Sequence, residues 1–553
     1  MLRKFTIVNC PLLRNCVPRN SKAICSLSSI RSKYQTWKNH RNIGGIARKV
    51  AKQDNLARQQ APVVFFNASA RLSHLSQNAA FSLIASWGLR LGGVPVVHFV
   101  CNEGMSRCVL GTNPDDAGQA PPCAACIAQS ERLFSGADVR RFTFQNNPKL
   151  QALVSKSNVG ELKEFEYEGQ ALGQMVLPAL RWALRRHTLL DDENTRRLYR
   201  EYVISAYSLG QQFGALLDAE RPQATVIFNG IMYPEAMARW QAQQRGIQVI
   251  THEVGLQPLT AFFTEGHATA YPMDIPDDFH LAADENLKLD QYLEQRFQGK
   301  FSMAGINFWS DMQGLSEEFK SKASKFEHVV PIFTNVIFDT SQVHANRRFE
   351  NMFDWLNQLL NLITDNPKTL FVIRAHPDEM RPNSKKQSRE SVRDWVISNG
   401  IHKMDNVIFF DSNETVSSYA LIQRAHFVMV YNSSIGLEAS IMGRPVLCAG
   451  GARYTQYPTV YFPRSADAYM RQAKSFLEAE RVEQPESFTI ESRRVLYFQL
   501  FRTSLPFEEF LEPHSRMGYV NIKNVAPEQL SPQNSDTISR IFKGVVNDDP
   551  FLL

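Results

Sequence analysis

Two short runs in the second half of the chain combine residue types that hold and react with anionic ligands. The first is Arg374-Ala375-His376-Pro377-Asp378-Glu379, directly after the apolar stretch LFVI. Pro377 cannot donate to a β-ladder and biases the residue before it toward extended backbone, so His376 is expected at a strand tip. An imidazole there can donate to a phosphate oxygen or protonate a leaving group, with Arg374 as a further phosphate partner. The second run is Tyr431-Asn432-Ser433-Ser434-Ile435-Gly436-Leu437-Glu438, between the stretch HFVMV and a helix-like segment. Asn432, Ser433 and Ser434 are N-cap types, and a helix start presents N–H groups and a favourable dipole to an anion. Gly436 would let a phosphate approach the backbone closely. Glu438, one turn on, is placed to accept from ribose or sugar hydroxyls.

A third group is Cys101, Cys108, Cys123 and Cys126, a C-x6-C-x14-C-x2-C pattern. A C-x2-C pair can share one Zn²⁺, and a second pair closes a tetrahedral structural site. The six-residue spacer is long for a zinc knuckle, and four reduced thiols in a Pro/Gly-rich loop is the competing reading. No D-x-D follows a strand tip. The pairs Asp115/Asp116 and Asp277/Asp278 read as solvated turns, so no metal is required for catalysis.

The elements that must position these groups alternate. Strands are expected at 62–66, 94–100, 225–228 and 248–251, with helices at 75–91, 172–186, 194–217 and 233–245. Residues 255–325 break the rhythm, with one helix at 284–297. Strands then recur at 329–333, 370–374, 407–410, 426–430 and 446–448, with helices between them and at 466–477 and 493–503. Short buried strands alternating with helices predict an α/β fold of two Rossmann-like, doubly wound domains facing a cleft. The expected division is a basic, mobile arm over 1–57, a Rossmann-like acceptor domain with the Cys-rich loop over 58–325, a nucleotide-sugar domain over 326–505, and a surface tail over 506–553. Ligands of such sheets sit beyond the carboxyl ends of the strands, where the two runs lie.

Charge sharpens the division. The 553 residues carry a net charge of +6, yet residues 1–53 hold twelve Lys or Arg and no acid. The remaining 500 residues hold 49 bases against 55 acids, which argues against a nucleic-acid groove. The basic arm is expected to touch an anionic membrane surface, at about 1 kcal/mol per base; a transit peptide and a misassigned start are the alternatives. No apolar run is long enough for a transmembrane helix.

The pairing of R-x-H-P with N-S-S-x-G-x-E-A-x-x-x-G-x-P-V resembles the capsule-polysaccharide biosynthesis family, including the Kdo transferases of capsule assembly. The first half resembles surface-polysaccharide glycosyltransferases through Phe228-Asn229-Gly230, Tyr233-Pro234-Glu235 and Thr251-His252-Glu253-Val254-Gly255, and Thr334-Asn335-Val336 fits the same group. The resemblance implies a GT-B glycosyltransferase that needs no cofactor beyond its nucleotide-sugar donor, CMP- or UDP-linked. His376 and Ser433/Ser434 would meet the donor phosphate, with Arg374, Pro377, Asn432, Gly436, Glu438, Thr334 and Asn335 around it. Glu253 is the preferred base for the acceptor hydroxyl, with His252 and Glu265 as alternatives. The acceptor would be a polysaccharide or lipid-linked saccharide, and the setting cytoplasmic, at the inner membrane face. A CDP-alcohol phosphotransferase and a non-catalytic capsule assembly or export factor are the competing readings. An NAD-linked enzyme is discounted, because no G-x-G-x-x-G follows a strand.

Overall fold

The computed structural model describes residues 22–53, 60–70, 72–116, 118–298, 301–303, 306–308, 313–380 and 387–553. Among these, two sheets position the expected site. The larger runs, edge to edge, through Leu505–Pro506, Thr260–Glu265, Gln248–Val254, Ala224–Phe228, Val63–Asn67, Val96–Cys101 and Asp138–Phe142. Its last five strands are mutually parallel, and its first two pair antiparallel. The second sheet, Val407–Phe410, Thr369–Arg374, His328–Phe333, Val428–Val430 and Val446–Cys448, is wholly parallel. Ranked by chain order within each half, both parallel sets read third, second, first, fourth, fifth. Each therefore has its topological switch point between the first and fourth strands, where ligands of doubly wound sheets bind.

The central strands are buried on both faces, as a parallel sheet covered by helices requires, whereas the edge strand Asp138–Phe142 exposes Asp138, Arg140 and Arg141. Side chains alternate, so Val63 and Phe65 join a core with Ile43, Phe81 and Ile538, while Val64 and Phe66 join another with Leu180, Tyr202 and Phe213. In the second sheet Val330 and Ile332 pack on Trp355 and Tyr469, whereas Val329 and Phe333 pack on Leu289, Leu437 and Val495.

Three expected boundaries change. Residues 22–53, read as part of a mobile arm, form the helix Lys22–Gln53. Its Ile43, Ile46, Ala47 and Val50 recur at helical spacing and are fully buried against the first sheet's helices. Residues 1–21 of that arm lie outside the described residues. The expected tail after 505 instead completes the first half. Leu505–Pro506 joins its sheet edge, Leu511–Pro513 and Tyr519–Ile522 pair with each other, and the helix Asp536–Val546 buries Ile538 and Ile541 beside Phe81. The helix Ala283–Phe297, assigned to the first half, packs Leu289 and Leu293 into the core of the second. No helix among the described residues is long and apolar enough to cross a membrane.

Candidate functional site

The register of the second sheet brings the residues expected on the donor side level. Phe333 pairs with both Arg374 and Val430, so Asn335, His376 and Asn432 each stand two residues beyond the same row. Asn335 and Asn432 flank the switch point and are joined, Asn335 Nδ2 donating to Asn432 Oδ1 at 2.7 Å, with Gln342 Nε2 at 3.4 Å from the same oxygen. This orients the Asn432 amide with its amino group away from both. His376 Nδ1 accepts the Asp378 amide N–H at 3.1 Å, so the neutral ring carries its proton on Nε2.

The serines depart from their expected capping role in an informative way. Ser76, Ser316, Ser391, Ser417, Ser465 and Ser535 each cap a helix by accepting a backbone N–H. Ser434 occupies the N-cap position of Ile435–Ile441 with helical φ and ψ and makes no side-chain cap bond. Ser433 is half-buried and Ser434 exposed.

Several other expected donor contacts have structural duties instead. Arg374 is 2% exposed, and its guanidinium donates to the backbone carbonyls of Asp411 and Glu414; burial pushes its pKa down to about 10. Thr334 is buried and donates to the Arg374 carbonyl at 3.1 Å. Glu438, expected on a sugar hydroxyl, is buried, with Oε1 held by Arg296 and Oε2 by the Tyr419 hydroxyl at 2.5 Å. Gly436 leaves room for a side chain rather than a phosphate: a Cβ there would lie 2.4 Å from the Tyr454 hydroxyl, which donates to the Ser433 carbonyl at 2.8 Å. Pro377 is half-buried just past the strand end.

The first sheet offers a matching edge. Phe228 pairs with His252, so Asn229 and Glu253 stand level one residue beyond. Asn229 has φ +62°, a backbone region sparsely used by residues other than glycine and frequent at functional sites. Its Nδ2 donates to Glu253 Oε2 at 2.8 Å, Asn78 Nδ2 donates to Oε1 at 2.9 Å, and the Val254 N–H also reaches Oε1. Glu253 is half-buried at this edge. His252 is a core residue: 1% exposed, packed on Phe228 and Phe263, both ring nitrogens unpartnered, and its pKa lowered by burial to about 3. Glu265 is exposed at the far end of an antiparallel strand, opposite Ile250.

The halves meet through residues that sequence reasoning missed. Thr269 Oγ1 and His344 Nε2 lie 2.8 Å apart, His267 packs edge-on against His344, and Arg239 lies 2.8 Å from His267 Nε2. Burial lowers the pKa of both histidines to about 4, with Arg239 adding to the effect on His267. Glu390 accepts the amides of His187 and Thr188, and the Arg453 guanidinium lies 3.7 Å from the Tyr271 ring centre. Nothing in local spacing marks these residues, because their partners lie far away in the chain, most of them across the junction. The four cysteines line one small cavity beside Ala68 and Ser69, at the carboxyl end of the first sheet.

The chain is similar in structure to a β-Kdo 2,4 transferase, KpsC of Thermosulfurimonas dismutans, at 11% identity and a TM-score of 0.33, covering 56% of this chain and 88% of the other. The β-Kdo 2,7 transferase of the same KpsC gives 12% identity and 0.31, covering 60% and 89%. A UDP-GlcNAc 2-epimerase from Neisseria meningitidis bound to UDP-GlcNAc gives 12% and 0.22, covering 79% and 98%. No curated protein matches the chain. Residues 293–481, which hold His376 and the Asn432–Glu438 turn, match the family described as capsule polysaccharide biosynthesis protein, and over that stretch the resemblance read from the two motifs holds.

Proposed function

We propose that this protein is a glycosyltransferase that moves a sugar from a nucleotide-activated donor onto a growing capsular or surface polysaccharide, or its lipid-linked precursor. The observation that carries the reading is the Asn335–Asn432 bridge at the switch point, level with His376 and flanked by two serine hydroxyls not engaged in capping, inside the segment with the family match. In this reading His376 Nε2–H and the Ser433/Ser434 hydroxyls meet the donor phosphate, and the Asn432 amino group fixes its position. Charge that develops on the leaving phosphate is thereby met by oriented donors, which is where such contacts speed transfer most. Glu253, held by Asn78 and Asn229, takes the acceptor proton.

The test measures thermal stabilisation of the full chain by CMP, CDP, UDP and their sugar conjugates. A ligand at 100 times its Kd adds about 2.7 kcal/mol. One nucleotide series should stabilise the wild type and lose most of its effect in Ser434→Ala, and the matching nucleotide sugar should release free nucleotide with a new glycosidic bond. His376→Ala should abolish that release while the protein stays folded. If no nucleotide stabilises the wild type, the donor-site reading is wrong.

A further inference from the structure

Cys101, Cys108, Cys123 and Cys126 lie on separate turns, yet all four line one cavity of about 20 Å³, room for roughly one water-sized body. Two of the sulfurs sit in the same local structure, a C-x-x-G turn whose glycine N–H points at the sulfur: Gly104 to Cys101 at 3.3 Å and Gly111 to Cys108 at 3.1 Å. A neutral thiol is a weak acceptor, whereas a thiolate is stabilised by amides directed at it. The second turn is fixed by shape. A Cβ on Gly111 would lie 2.5 Å from Pro121, so the bare glycine lets the Cys108 turn press against Pro121-Pro122 and bring it to Cys123. Cys123 and Cys126 then lie on the first turn of Cys123–Leu133, with Ser69 Oγ 3.9 Å from Cys126 Sγ. All four are free thiols.

We propose that these four cysteines bind a single Zn²⁺, which clamps the 101–126 loop against the carboxyl edge of the first sheet. As the side chains stand, no three potential ligands among the described residues form a metal-holding group. Convergence on one ion therefore needs the cysteine side chains to rotate between staggered positions. Each thiol releases its proton to solvent as its sulfur–zinc bond forms, and the ion satisfies the tetrahedral four-thiolate preference of structural zinc. The site stands apart from His376 and Asn432, and its occupancy is independent of the transferase reading.

Metal content is measured on the full chain purified without chelator from zinc-supplemented culture. The expected result is stoichiometric zinc, lost in Cys123→Ser/Cys126→Ser and retained in Cys448→Ala, whose thiol is buried in the other half. Because the double variant can misfold, wild-type protein stripped of metal is also titrated with Co²⁺, which should give the near-ultraviolet thiolate-to-cobalt band of four-sulfur coordination. Absence of both zinc and the cobalt band overturns the proposal, as do iron with labile sulfide, a disulfide within the four cysteines, or full zinc retention in a folded double variant.

Discussion

The buried contact between Arg296 and Glu438 yields the most decisive stability test, because it separates an anchor from a ligand contact at the donor site. Glu438 is 3% exposed, and Arg296 holds its Oε1 through Nε at 2.8 Å and through a second nitrogen at 2.6 Å. The Tyr419 hydroxyl holds Oε2. Arg296→Met keeps most of the side-chain volume but leaves a buried carboxylate facing one hydroxyl, and breaking a buried pair in this way costs about 3–5 kcal/mol. Tyr419→Phe removes one hydrogen bond to a charged group and should cost about 1.5–3 kcal/mol. Replacing the whole set, Arg296→Met with Glu438→Leu and Tyr419→Phe, should recover most of the loss, since a buried pair exchanged for packed apolar groups is often neutral or better. Urea unfolding followed by circular dichroism gives the midpoints, read on the transition of the second half, where both partners lie. The same variants are then tested for nucleotide stabilisation. If Glu438→Gln leaves the midpoint unchanged yet abolishes the nucleotide response, the carboxylate reads the ligand and the anchor argument is wrong.

Glu379 gives a pH test: it is fully buried, with one oxygen on the Val392 amide and the other unpartnered among the described residues, and burial pushes its pKa up to about 8. The folded state keeps a proton that the unfolded chain loses above its ordinary value of 4.5, so stability present in acid is lost as pH rises from there through about 8, by up to roughly 5 kcal/mol. Glu379→Gln should flatten that slope in unfolding midpoints, and an unchanged slope would sink the assignment. Gly436→Ala should destabilise by about 1–3 kcal/mol through overpacking against Tyr454, with partial recovery in Gly436→Ala/Tyr454→Phe; a stable Gly436→Ala variant that no longer responds to nucleotide would restore the phosphate-approach reading. Removing residues 1–53 should yield insoluble protein, because fully burying Ile43, Ile46 and Val50 supplies about 1.5–3 kcal/mol each against a total stability of only about 5–15 kcal/mol. A soluble, cooperatively unfolding truncation would show that the helix is an accessory.

What the sequence disclosed and what it hid divide along the range of the interactions. The parallel strands were legible because burial on both faces turns each into a short apolar run, such as VVFF at 63–66 or LFVI at 370–373. The two donor-side motifs were legible because a strand, a tight turn and a helix start are contiguous in the chain. The strand Thr260–Glu265 was missed because it pairs antiparallel at an edge inside a polar region, and the terminal strands because two to four residues carry no period. The helix Lys22–Gln53 was masked by its charge, although Ile43, Ile46, Ala47 and Val50 already held the spacing of a buried face.

The same division explains why some expected site residues stand at the sheet edge while others are claimed by the fold. Spacing places a side chain along an edge, but the partner it meets there comes from elsewhere in the fold. Glu438 looked available for a sugar because its local sequence is a helix's first turn; Arg296 lies 142 positions away in the chain and claims it. Arg374 looked like a phosphate ligand until the loop at 411–414 folded over it. Ser433, Ser434, His376 and Asn432 differ in that the fold orients them without covering them. The half-buried Asn432 is fixed by Asn335 through its side-chain oxygen. On the proposed reading these four, rather than the buried charges beside them, are where substitution should alter ligand response before it alters stability.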